Sequence, residues 1–79
     1  MRANRQEMIE LAKRIHRTLD SIEEMLREEF GDDYAIPKTV VLRLTALRGK
    51  AGAERVSTKQ SALKTAQQLK EEVKEWLGW

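Results

Sequence analysis

Between Asn4 and Phe30 the apolar residues fall at Met8, Leu11, Ala12, Ile15, Leu19, Ile22, Met25, Leu26 and Phe30. Steps of three and four keep one side of a helix apolar, so the spacing predicts an α-helix over about 4–30, buried along one stripe. Asn4 is a capping residue, and Glu7 three positions on can reach back to it. Glu10 with Arg14 and Glu23 with Arg27 are favourable pairs one turn apart on the exposed side. Gly31 supplies the left-handed residue that commonly ends a helix. At 1.5 Å per residue the element is about 40 Å long, more than so small a globule needs, so part of its stripe is expected to overhang.

Residues 31–37 read as a connector, and Pro37 suits the first position of a helix because its missing N–H would be unpaired there anyway. The second helix is expected over about 37–48, with Val40, Val41, Leu44 and Leu47 inward. Thr39–Thr45 is also rich in β-branched residues, which makes a strand the competing reading. A lone strand would find no partner elsewhere in the chain and would have to pair across a dimer. A ribbon-helix-helix arrangement is also disfavoured, since a long helix comes first. Residues 49–55 form a basic turn in which Gly49 and Gly52 interrupt the helix. Ser57 and Gln60 then have capping-box spacing. The third helix is expected over about 58–77, with Ala62, Leu63, Ala66, Leu69, Val73, Trp76 and Leu77 on one face. Gly78 closes it and lets Trp79 fold back near Val73.

The elements predict one all-α domain over residues 1–79, a small helical bundle of long helix, short helix and long helix. The two long helices are expected to run antiparallel, with the short one packed across them. The chain has 79 residues and no cysteine, which excludes disulfides and thiolate metal sites. The single histidine, His16, has no second His or Cys to share a metal with. Self-association is then the remaining way to add buried surface, and a homodimer using the overhang of the first helix is left open. No apolar run reaches the length of a membrane span, and no secretory signal precedes the first helix. A cytoplasmic protein is the expectation.

Catalysis needs several reactive side chains converging on one pocket. With one His, no Cys, and serines at helix starts or on polar faces, nothing converges. The expectation is no enzyme, no cofactor and no metal.

Charge changes the picture more than composition does. Charged residues are 35% of the chain and the net charge is only +2. Yet residues 20–33 hold seven acids against one base, and residues 38–70 hold eight bases against one acid. Glu28 and Glu29 crowd the end of the first helix, where the macrodipole favours cations, and Glu24 with Glu28 is a like-charge pair one turn apart. A sequence that breaks local rules without visible compensation marks a place to look for function. One candidate is therefore an acidic partner-binding patch of Glu24, Glu28, Glu29, Asp32 and Asp33, docking a basic surface. Against it stands a structural reading, in which Asp32 and Asp33 cap the second helix and the rest is neutralised by the basic segment. Arg48, Lys50, Arg55 and Lys59 are candidate contacts to phosphates or to an acidic partner. Tyr34 and Trp79 are candidate interface anchors.

The function expected is a non-enzymatic binding protein that regulates or inhibits a macromolecule, a protein first of all, by occupying its surface. The profile of a very short, charge-segregated, cysteine-free chain is similar to that of phage or mobile-element inhibitors such as anti-CRISPR proteins, and to antitoxins. The alternatives are a nucleic-acid-binding regulator using residues 38–70 and a structural homo-oligomeric assembly subunit.

Overall fold

A computed structural model describes residues 4–31 and 35–79 as three helices: α1 (Arg5–Phe30), α2 (Lys38–Ala51) and α3 (Val56–Leu77). Asp32, Asp33 and Tyr34, three of the candidate site residues, lie outside the described residues. Residues 39–45 are helical, which settles helix against strand there.

Asn4 and Gly31 bound α1 as their residue types signal, though among the described residues there is no reciprocal bond from the Asn4 N–H to the Glu7 carboxylate. Asn4 Oδ1 accepts the Glu7 N–H at 2.7 Å, satisfying one of the orphan donors of the first turn. Gly31 takes φ 72° and donates its N–H to Arg27 O at 2.7 Å. Glu23 pairs with Arg27 at 3.6 Å, whereas Glu10 pairs with Lys13 at 4.0 Å rather than with Arg14. Replacing Asn4 by Ala should lower stability by about 1 kcal/mol and the melting temperature by about 5 °C, measured by thermal circular dichroism.

At three places the chain departs from its local signals, the first being Pro37, which is the cap residue before α2 rather than its first helical position. Helix α2 runs through Gly49 to Ala51, three residues past the expected end at Arg48, because Gly49 adopts a helical conformation without positive φ. Helix α3 starts at Val56 with Arg55 as its cap residue, so the Ser57–Gln60 capping box does not form. A cap contributes only about 1 kcal/mol. The earlier start half-buries Val56 against the core and brings Lys59 onto α2, where its ammonium donates to Ala51 O. Lys59 is 6% exposed; it satisfies a carbonyl that the helix end leaves without a partner and sits at the negative pole of α2.

The three helices pack pairwise around one core. Ile15, Leu19, Ile22 and Leu26 of α1 and Leu69 of α3 are its most deeply buried large side chains. The first two turns of α1 lie outside it, with Ile9 39% exposed and Leu11 the first buried position.

The expected antiparallel arrangement of the long helices is corrected by the contacts between them. The last turn of α1 meets the last turn of α3: Phe30 and Trp76 stack with ring centroids 5.5 Å apart, and Trp79 Nε1 donates to Glu29 at 2.9 Å. Arg48, near the end of α2, reaches back to His16, Asp20 and Glu23 on α1. Lys59, near the start of α3, touches the end of α2. The chain therefore goes up, down and up, and α1 and α3 are parallel. The reason is length: 14 residues make α2 about 21 Å long, enough to traverse the bundle rather than lie across it. Each short connection then reverses direction.

Among the described residues, no helix is long and apolar enough to cross a membrane.

Candidate protein-binding surface

Parallel long helices gather like charges at the same end of a molecule whose longest dimension is 43 Å. Glu23, Glu24, Glu28 and Glu29 occupy the last two turns of α1, and Glu71, Glu72 and Glu75 those of α3. At the opposite end stand Arg5, Lys13, Arg14 and Arg17 of α1, Lys50 at the end of α2, and Arg55 and Lys64 around the start of α3. The macrodipoles of α1 and α3 point the same way and have the same sign as these side-chain charges. The molecule is therefore electrically polar along its axis, with one end richer in acids, among which Arg27, Lys70 and Lys74 also stand, and one richer in bases, among which Glu7, Glu10 and Glu54 stand.

Part of this charge is settled within the fold. Arg48 is the main clasp: its Nη2 lies 2.9 Å from Asp20 and 2.5 Å from Glu23, and Nη1 lies 3.3 Å from His16 Nδ1. Hydrogen bonds to Glu23 and then Asp20 hold the Arg48 pKa above its ordinary value, so this cation is not titrated at any working pH. Arg43 bridges to Glu72 at 3.2 Å, and Lys74 lies 3.7 Å from Glu71. The structural reading of the acidic block thus holds for Asp20 and Glu23.

Glu24 and Glu28 are different. Both are exposed, and neither makes an ion pair with a described residue. They line one wall of a groove of about 410 Å³ between α1 and α3, with Lys70, Lys74 and Trp79 opposite. Glu29, beside them, accepts the Trp79 indole N–H. Trp79 therefore does not fold back near Val73. The Schellman turn at Gly78, with Trp79 N–H on Lys74 O at 2.9 Å, directs it across to α1 instead. It stays 54% exposed. Trp76, read as inward from its spacing, is 53% exposed and rests on the half-buried Phe30.

The structure thus brings together Glu24, Glu28, Glu29 and Trp79 and adds Trp76, which sequence reasoning had assigned to the core. It separates the four basic candidates. Arg48 and Lys59 are turned onto intramolecular partners, while Lys50 and Arg55 remain exposed near the α2–α3 turn. A further feature escaped the sequence reading: Val41, expected inward, is 42% exposed, and Leu42 beside it 67%. The signal was available, because apolar residues surround α2 on every side, a pattern that belongs to a buried helix or one with a further partner.

No known family model matches the chain, and no curated protein and no solved structure is found to be similar to it.

Proposed function

We propose that this chain is a non-enzymatic binding protein that regulates or inhibits a protein partner by docking its acidic, tryptophan-bearing end onto a basic surface. The observation that carries this reading is the exposure of Trp76 and Trp79, each about half open, at the end where the carboxylates of both long helices collect. Large aromatic side chains half exposed on a small domain leave apolar surface in water, and such residues are typical anchors of interfaces. Glu24 and Glu28, which make no ion pair with a described residue, would select a basic partner and accelerate encounter rather than supply most of the affinity.

The test is quantitative capture from the source cells with the chain immobilised, at low and high salt. A specific partner should be retained by the wild type and bind about tenfold more weakly to Trp79→Ala, and again to the double variant Glu24→Lys/Glu28→Lys. Binding untouched by all these changes contradicts the proposal. The exposed Lys50 and Arg55 at the other end favour a second reading, a grip on nucleic acid phosphates. It requires duplex or single-stranded affinity that falls steeply with salt; fluorescence anisotropy measures that directly.

A further inference from the structure

The outward face of α2 is surface that neither the core nor the acidic end uses. Leu42, Thr45, Ala46 and Gly49 are all exposed, and steps of three, one and three put them on one stripe of the helix. From Leu42 to Gly49 the stripe is uncharged, and Lys38, one turn before Leu42, continues it at one end. Thr45 Oγ1 donates to Val41 O at 3.0 Å, so its hydroxyl proton is already satisfied within the helix. The arginines on either side are also engaged, Arg43 with Glu72 on α3 and Arg48 with Asp20 and Glu23 on α1. The result is an apolar strip bordered by closed ion pairs, the usual make-up of an interface core and its rim.

Gly49 is an independent observation. Glycine inside a helix is less favourable than alanine, and it is normally explained by positive φ or by a close neighbour. Gly49 has neither: its φ is not positive, and a Cβ built on it would meet nothing within 4 Å. Nothing inside the molecule requires a glycine there, whereas the close approach of another molecule would.

The stripe is complementary to itself. Leu42 is a protruding knob and Gly49 a gap two turns further along. Set a second copy of α2 antiparallel about a twofold axis between Thr45 and Ala46, and each Leu42 falls opposite the second copy's Gly49. In the same register, Lys38 comes opposite the turn that carries the second copy's Glu54. Lys38 and Glu54 are exposed and make no ion pair with a described residue, and Glu54 is the one acid between Lys38 and Lys70. A parallel pairing would instead set Leu42 against Leu42 and Lys38 against Lys38. We propose that the chain forms a twofold homodimer through antiparallel packing of α2 on α2, with Leu42 of each copy seated over Gly49 of the other. The contact is isologous, so it closes at two copies. It uses α2, not the overhanging start of α1, and it leaves both acidic ends uncovered. One helix of 14 residues buries less than the roughly 800 Å² per subunit of a standard interface, so the dimer is reversible.

The test is sedimentation equilibrium of the full chain between about 1 µM and 1 mM, a range that spans weak association. The wild type should fit a monomer–dimer equilibrium. Leu42→Ala and Gly49→Leu should each weaken it at least about tenfold, Gly49→Leu by filling the gap while keeping or raising helix content in circular dichroism. The double variant Leu42→Ala/Gly49→Leu exchanges knob and gap within the symmetric stripe and should recover most of the lost association. A wild type that stays monomeric throughout the range overturns the proposal. So do assemblies larger than a dimer, single variants that dimerise unchanged, or a double variant that fails to recover.

Discussion

Replacing Leu19 by Ala should lower the stability of the fold by about 3 kcal/mol and the melting temperature by about 15 °C. Leu19 is 0% exposed and sits midway along α1, in the one core cluster to which all three helices contribute. Truncation removes buried methyl groups and leaves a cavity, because a packed interior relaxes only in part. The loss is large for this chain: at roughly 0.1 kcal/mol per residue, a 79-residue domain has about 8 kcal/mol in total. Leu42→Ala is the control. It is the same substitution on a side chain 67% exposed, and at low protein concentration it should change stability by less than about 0.5 kcal/mol. Urea unfolding followed by circular dichroism measures both, and equal losses would mean that α1 does not pack as described.

The second large effect falls on a polar residue. Lys59→Ala should cost about 2–3 kcal/mol, and Lys59→Met about half of that. The side chain is buried and its ammonium donates to Ala51 O in the last turn of α2. Removing it leaves a buried carbonyl without its partner and takes a cation away from the negative pole of that helix. Methionine keeps the apolar stem and loses the ammonium, both its charge and its hydrogen bond, so the two variants separate packing from the polar contact. Hydrogen exchange should report the damage locally, with amides in the last turn of α2 losing protection before those in the middle of α1. Uniform loss of protection would show that Lys59 acts only as a core filler.

Lys59 also shows where sequence reasoning stops. The period of α1 placed its buried residues, from Leu11 to Leu26, because a stripe in a long helix repeats often enough to be unambiguous. Gly31 and Gly78 were legible as helix ends for a physical reason, since both take positive φ that other residues adopt only with strain. Periodicity says which face is buried but not which way a helix runs. The direction of α3 depends on whether α2 traverses the bundle or crosses it, and only contacts between distant residues, Arg48 with Asp20 and Trp79 with Glu29, show that it traverses. Trp76 follows Val73 by three positions and so shares its face on a helical wheel, yet it lies at the edge of that face and remains half exposed.

Charges were harder still to read. The sequence showed that acids and bases are segregated, but the clasp of Arg48 on Asp20 and Glu23 joins residues 25 to 28 positions apart. Such a pair leaves no local mark in the chain. Arg48 and Lys59 therefore looked like free cations, although both are spent on the fold, while Glu24 and Glu28 beside Trp79 pair with no described residue. The candidate surface is in this sense sharper than the block of acids that first suggested it.

The arrangement of α1 and α3 is what joins the acidic turns of both helices to the two tryptophans, and it can be measured without any partner. The chain has no native cysteine, so spin labels can be attached at single introduced cysteines in pairs. Glu28 and Glu75 are exposed, as is Glu10 near the opposite end of α1. At low concentration, dipolar electron resonance should give a shorter distance for labels at Glu28 and Glu75 than for labels at Glu10 and Glu75, by more than about 10 Å given the rise of the helix. The reverse order would place the start of α1 beside the end of α3. It would contradict both the parallel bundle and the acidic, tryptophan-bearing end that depends on it.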